Sequence, residues 1–197
     1  MLIALSGGIG SGKSIVSRIL ISMGYPVFDC DSEARRIMDS DSRIHKMICE
    51  SIHPDAVKAG CVDRKLISGI VFSNPEALNA LNSIVHNAVF SELSQWTTYN
   101  YNVGHRLVFV ESAILHTSGL VDMVNAEWRV AAPLELRIRR VMLRSALTRP
   151  QVLARINVQE AENRVSDNIP LYIIDNSSEA SVLPQIHSLL NQLIPCE

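Results

Sequence analysis

The chain opens with Met1–Ser14, MLIALSGGIGSGKS, and everything downstream is organised around it. Leu2-Ile3-Ala4-Leu5 is a continuous apolar run, short enough for a buried strand rather than a helix. Gly7-Gly8-Ile9-Gly10-Ser11-Gly12-Lys13-Ser14 then satisfies G-x-x-x-x-G-K-[ST] at every fixed position. Ile15, Val16, Ile19, Leu20 and Met23 follow at helical spacing. Strand, glycine-rich loop and helix are the context this pattern requires to be a phosphate-binding loop.

Each residue type has a physical reason to be there. Glycines let the backbone turn tightly and bring its N–H groups onto phosphate oxygens, and the following helix directs its positive end at the same anion. Gly8, Gly10, Ser11, Gly12, Lys13 and Ser14 are therefore expected to hold a nucleoside triphosphate. Lys13 reaches the β- and γ-phosphates, and the Ser14 hydroxyl is an expected ligand of Mg²⁺.

Working outward, the bulk properties narrow the class. The chain has 197 residues and a net charge of −2, enough for one substantial α/β core and without the basic signature of a nucleic-acid binder. No apolar run approaches a membrane span, and no basic region precedes Leu2 as in a signal peptide. Cys30, Cys49, Cys61 and Cys196 lie far apart without metal-ligand spacing, as expected of free thiols in the cytoplasm. Arginine is concentrated late: four lysines stand against fourteen arginines, eight of them between Arg129 and Arg164. Arginine suits bidentate contact with phosphate.

The order of elements implies a mostly parallel sheet of five strands covered by helices. Val27-Phe28 and Leu107–Val110 read as strands, as do Trp128–Ala132 and Leu171–Ile174. Helices are predicted over 32–38, 41–52 and 64–72, from Asn74-Pro75 to about Gln95, over 134–147 and 151–163, and near the C-terminus with Pro184 in or kinking its first turn. Gly60 to Asp63 reads as a turn and Thr97 to Gly104 as a polar loop.

Several groups fall where such sheets bind ligands, outside the carboxyl ends of the strands. Asp29 and Asp31 end the second strand; one of them can orient an attacking hydroxyl, and Asp31 can equally cap the next helix. Glu111 ends the third strand, in place either to face Mg²⁺ or to turn to solvent. Arg137, Arg140 and Arg144 share one helix face, with Leu134, Ile138 and Val141 forming the core-facing stripe, and Arg149 follows at a chain break. That pattern fits a solvated face or a lid over the phosphates.

Taken together the chain resembles the dephospho-CoA kinase family over nearly its whole length. The resemblance rests on Leu5–Ser14, on Val27-Phe28-Asp29-Cys30-Asp31-Ser32-Glu33-Ala34-Arg35, on Val62–Leu66, on Leu81–His86, and on the arginine helix with Thr148-Arg149, Gln159 and Ile174-Asp175-Asn176. It implies a three-layer P-loop NTPase fold with an inserted helical acceptor-binding lobe over about 31–95 and a helical lid over about 140–163. It implies transfer of the γ-phosphate of ATP to the ribose 3′-hydroxyl of dephospho-CoA with Mg²⁺, by a monomer or small homo-oligomer. Asp31 becomes the expected general base, with Lys13 and Arg140 beside it in catalysis. Arg144, Arg149 and Asn176, with the backbone of Ile15, are implied on the nucleotide, and Asp29, Arg64 and His86 on the acceptor.

The chain departs from the family pattern at four places. Ile15 stands for threonine, Asn87 for proline, and Leu171 where aspartate is common; Ala113-Ile114-Leu115-His116-Thr117 replaces P-L-L-[FY]-E. Two other readings share the loop: a nucleoside or nucleotide kinase of the same architecture, and a non-catalytic nucleotide-binding module. A GTP-binding switch is disfavoured, because no Asn-Lys-x-Asp occurs.

Overall fold

The computed structural model describes residues 1–162, 168–177 and 179–193. The first elements are β1 (Leu2–Ser6), α1 (Lys13–Ser22), β2 (Val27–Asp29), α2 (Cys30–Ser40) and α3 (Ser42–Ser51). A two-stranded hairpin β3 (Val57–Lys58) and β4 (Cys61–Val62) precedes α4 (Arg64–Ser73) and α5 (Pro75–Asn102). Then come β5 (Val108–Glu111), a 3₁₀ turn (Leu120–Met123), β6 (Ala126–Ala131) and α6 (Leu134–Arg144). The series ends with α7 (Arg149–Glu162), β7 (Leu171–Asp175) and α8 (Val182–Leu193). The chain divides into two compact units, one of residues 1–28 with 100–197 and one of residues 29–99.

The first unit is built on a five-stranded sheet of order β2-β5-β1-β6-β7. β1 pairs in parallel with both β5 and β6, and β6 in parallel with β7. β1 is buried along its whole length, which is why it reads as an unbroken apolar run rather than an alternating one. Val16 and Leu20 of α1 and Ile186 and Leu190 of α8 pack with Ile3, Leu5, Phe109 and Trp128 into the main core. The rings of Phe109 and Trp128 lie 5.1 Å apart at its centre. Because β1 is central, the loop after it opens at the middle of the sheet's carboxyl edge. Pro184 falls in the first turn of α8, where a missing N–H costs nothing.

A second cluster joins α6 to α7 through Ile138, Val141, Val152 and Ile156, with Ile9 of the glycine loop packed against it. Leu134 departs from the predicted core stripe: it opens α6 and is 44% exposed. Asn163, the end of the predicted helix and lid, lies outside the described residues, as does Cys196; the other three cysteines are free thiols.

The second unit is helical, and its helix starts are set by side-chain caps. Asp41 accepts the N–H of Arg43 at the start of α3, Asp63 that of Leu66 at α4, and Asn74 those of Glu76 and Ala77 at α5. Gly60 to Asp63 belongs to the hairpin, where Val57 faces Val62. Helix α5 runs on through the stretch predicted as a loop, to Asn102. Its polar composition concealed a continuing turn whose Asn100 is buried and accepts the N–H of His105 through its carbonyl.

Candidate active site

The glycine loop owes its path to what surrounds it. Gly12 precedes α1 with φ 104°, a left-handed conformation, and the amide of Asn176 fills the space a Cβ would need. Gly10, with φ 81°, would place a Cβ 2.6 Å from the carbonyl oxygen of Arg137. Within the loop the N–H of Ser11 donates to the Gly8 carbonyl, and the Lys13 ammonium donates to the Gly7 carbonyl at 2.7 Å. Ser14 and Ile15 are exposed on the first turn of α1, and the Ile15 N–H donates to Gly12 at 2.9 Å.

Residues far away in sequence brace this loop. Asn176, buried just after β7, donates its Nδ2 to the Ser11 carbonyl at 2.7 Å. Arg140 donates to that same carbonyl at 3.3 Å and to the Asn176 carbonyl at 3.0 Å. On the other side Gln159 accepts the Ile9 N–H at 2.6 Å and donates to the Ala113 carbonyl at 3.1 Å. Arg137 donates its Nε to the Ile9 carbonyl at 3.0 Å and its Nη1 to Glu160 at 2.6 Å. Arg137 is thus buried under the loop, not part of a solvated face. Arg144 is exposed on the last turn of α6, and Arg149 is held by Glu135 through two bonds of 2.8 and 2.7 Å.

At the carboxyl end of β5, Glu111 accepts the Ser17 hydroxyl at 2.5 Å. Glu111 and Ser14 offer the hard oxygen donors that Mg²⁺ takes alongside substrate phosphates and water. No group of three His, Cys, Asp or Glu that could hold a metal alone occurs among the described residues.

The altered segment after β5 has acquired a different partner. His116 approaches Glu127 at 3.0 Å, and Glu127, 2% exposed, also accepts Arg129 at 2.8 Å and the Ser6 hydroxyl. Burial opposes the Glu127 charge, but the bonds from Arg129 and Ser6 and the nearby Arg129 charge hold its pKa below the usual carboxylate range. Thr117 is exposed and donates its hydroxyl to the Ile114 carbonyl. None of this network has a short-range sequence signal; only the mismatch at His116 hinted at it.

In the second unit Asp29, not Asp31, caps α2. Its carboxylate accepts the N–H groups of Asp31 and Ser32 and the Ser32 hydroxyl, because the helix begins at Cys30 rather than Ser32. The exposed Asp31 carboxylate makes no hydrogen bond among the described residues. Arg64 pairs with Asp39 at 2.8 Å. His86 is half-buried and stacked on Phe90, and burial lowers its pKa.

A parallel sheet with a glycine-rich loop after its central strand, a lysine and serine opening the next helix, and an arginine-bearing helix pair gripping the loop defines a P-loop phosphotransferase, an ATP-dependent kinase. Comparison with known proteins narrows the class. The profile of the dephospho-CoA kinase family matches residues 1–181, and the chain belongs to that family, whose members complete coenzyme A synthesis. Dephospho-CoA kinase of Bacteroides fragilis is 32% identical over 188 residues, covering 95% of this chain and 90% of the relative. That of Thermus thermophilus is 40% identical over 166 residues, covering 82% and 76%. A Thermus thermophilus crystal structure superposes with a TM-score of 0.79 at 34% identity, covering 98% of both chains.

Proposed function

We propose that the chain transfers the γ-phosphate of ATP to the ribose 3′-hydroxyl of dephospho-CoA, with Asp31 as general base. The observation that carries the assignment is the division of labour at α2: Asp29 is spent on the cap, and Asp31 retains an exposed, uncommitted carboxylate. Such a group can accept the hydroxyl proton as the oxygen attacks phosphorus.

Phosphoryl transfer asks the protein for positioning and charge neutralisation more than covalent work. Lys13 exchanges the Gly7 carbonyl for phosphate oxygens, and Arg140, already beside Ser11 and Asn176, stays at the nucleotide. Arg144 and Arg149 neutralise the phosphates from a lid over about 140–163; the Arg149–Glu135 pair is exposed and readily exchanged in water. Ser14 would hold Mg²⁺, which would supply further neutralisation of the phosphate charge. The acceptor lies in an inserted lobe over about 31–95, with Arg64 and His86 in contact and Asp29 acting through the α2 cap that sets Asp31. The second unit also holds a cavity of about 270 Å³ lined by Ile37, Met47, Ile84 and Asn87, apart from those three residues. The free thiols suit the reducing cytoplasm.

The test is mass spectrometry of the acceptor after incubation with Mg-ATP and dephospho-CoA, with Asp31→Asn in parallel. Coenzyme A from the wild type and not from the variant is the expected result. Coenzyme A from both moves the base elsewhere, and nucleotide binding without any transfer overturns the enzymatic reading.

A further inference from the structure

Beside the glycine loop, a cavity of about 260 Å³ opens at the carboxyl ends of β1 and β6, lined by Gly7, Gly8, Ser11, Arg129, Arg137 and Glu160 among others. Two polar atoms there are buried without a hydrogen-bond partner among the described residues: the hydroxyl of Ser11, a residue 1% exposed, and Nη2 of Arg137, a residue 9% exposed. A buried donor left unpaired is costly, more so on a charged group. The Arg137 guanidinium is not adrift. Its Nε is fixed on the Ile9 carbonyl and its Nη1 on Glu160, so the third edge is held under Gly8, where its nitrogen fills the space of a missing Cβ. Glu127 backs Arg129 from below in the same way, with His116 alongside, and orients a second guanidinium at the cavity.

The geometry points to a second oxyanion pocket, in which Arg137 Nη2, the Ser11 hydroxyl and Arg129 receive a phosphate-type group beside, rather than inside, the glycine loop. A tetrahedral oxyanion supplies acceptors to several donors at once, and two guanidinium groups with a hydroxyl are a matching donor set. The acids touching this cluster, Glu127 and Glu160, each occupy one guanidinium and leave the Arg137 edge to the ligand. The inference rests on nucleotide occupying the glycine loop. The oxyanion is then either the nucleotide's terminal phosphoryl group or a separate phosphate.

The test is calorimetric titration of inorganic phosphate into the full chain, alone, with saturating ADP, and with a non-hydrolysable ATP analogue. Phosphate that binds beside ADP, and at least about tenfold more weakly in Arg137→Met, identifies a separate phosphate ligand. Phosphate that coexists with ADP but is displaced by the ATP analogue, with the same loss, identifies the terminal phosphoryl group. Phosphate binding indifferent to Arg137→Met, or absent, overturns the pocket. Failure of ADP to bind at all overturns the nucleotide reading instead, while the titration without nucleotide still reports on the pocket. Since Arg137→Met also releases Ile9 and can disturb the loop, Glu160→Gln is the second variant. It removes the competing carboxylate and keeps the guanidinium on Ile9, so phosphate affinity rises by about threefold or more; an unchanged or lower affinity counts against the site.

Discussion

Asn176 and Ser11, 165 residues apart in sequence, are joined at 2.7 Å by an amide donating to a backbone carbonyl, and Arg140 donates to the same oxygen. This junction ties the glycine loop to the end of β7. Asn176→Ala removes a buried donor beneath the loop and is expected to raise the KM for ATP about tenfold, equivalent to roughly 1.4 kcal/mol, with kcat changed far less. Asn176→Asp is expected to be worse than alanine, because it turns a carboxylate towards a carbonyl oxygen. Steady-state kinetics with varied ATP check both.

The two aspartates at α2 are expected to separate stability from chemistry. Asp29→Ala loses the cap and should lower stability by about 1 kcal/mol. Asp31→Asn should leave thermal unfolding unchanged while lowering kcat by about a hundredfold or more. Thermal scans alongside rate measurements would show the separation; equal effects on both would contradict it.

Gln159 holds the Ile9 peptide from α7, and its two bonds can be tested apart. Gln159→Ala frees the Ile9 N–H and should accelerate its hydrogen exchange by about tenfold or more. Gln159→Glu keeps an acceptor for Ile9 while losing the donor to Ala113, so its exchange should stay near wild type. Exchange followed by NMR or mass spectrometry distinguishes the variants.

Glu127 gives the fold a pH dependence of defined sign. Its folded pKa lies below the unfolded value of about 4.3, so its contribution is fully present above that pH and is lost as pH falls through the folded pKa. Glu127→Gln should therefore destabilise the protein at neutral pH and flatten the acid limb of a stability–pH profile. Denaturant melts between pH 3 and about pH 7 provide the check.

What was legible in the sequence was what local chemistry enforces. The glycine loop needs its own residues, Asn74 announces α5 through a side chain that bonds two and three positions on, and Pro184 fits a first turn. The misjudged parts depend on distant partners. Arg137 shares its spacing with the half-buried Arg140 and the exposed Arg144, and only the proximity of Ile9 and Glu160 reveals that it is buried. His116 stood in the sequence only within a segment that departs from the family pattern, and Glu127 and Arg129 of β6 supply its context. Asp31 and Asp29 are both good capping residues; the start of α2 two residues earlier than predicted assigned the cap to Asp29.

The parallel pairing of β1 also bears on how the protein is made. Leu2–Ser6 leave the ribosome well before their sheet partners at 108–111 and 126–129. The central strand must wait, apolar and unpaired, until β5 and β6 have been synthesised, and closing such distant contacts is slow. The nucleotide loop is therefore encoded ahead of the strands that frame it and assembled only after them. Nascent chains arrested before β6 should be unable to retain ATP and should depend on chaperones that shield the first strand.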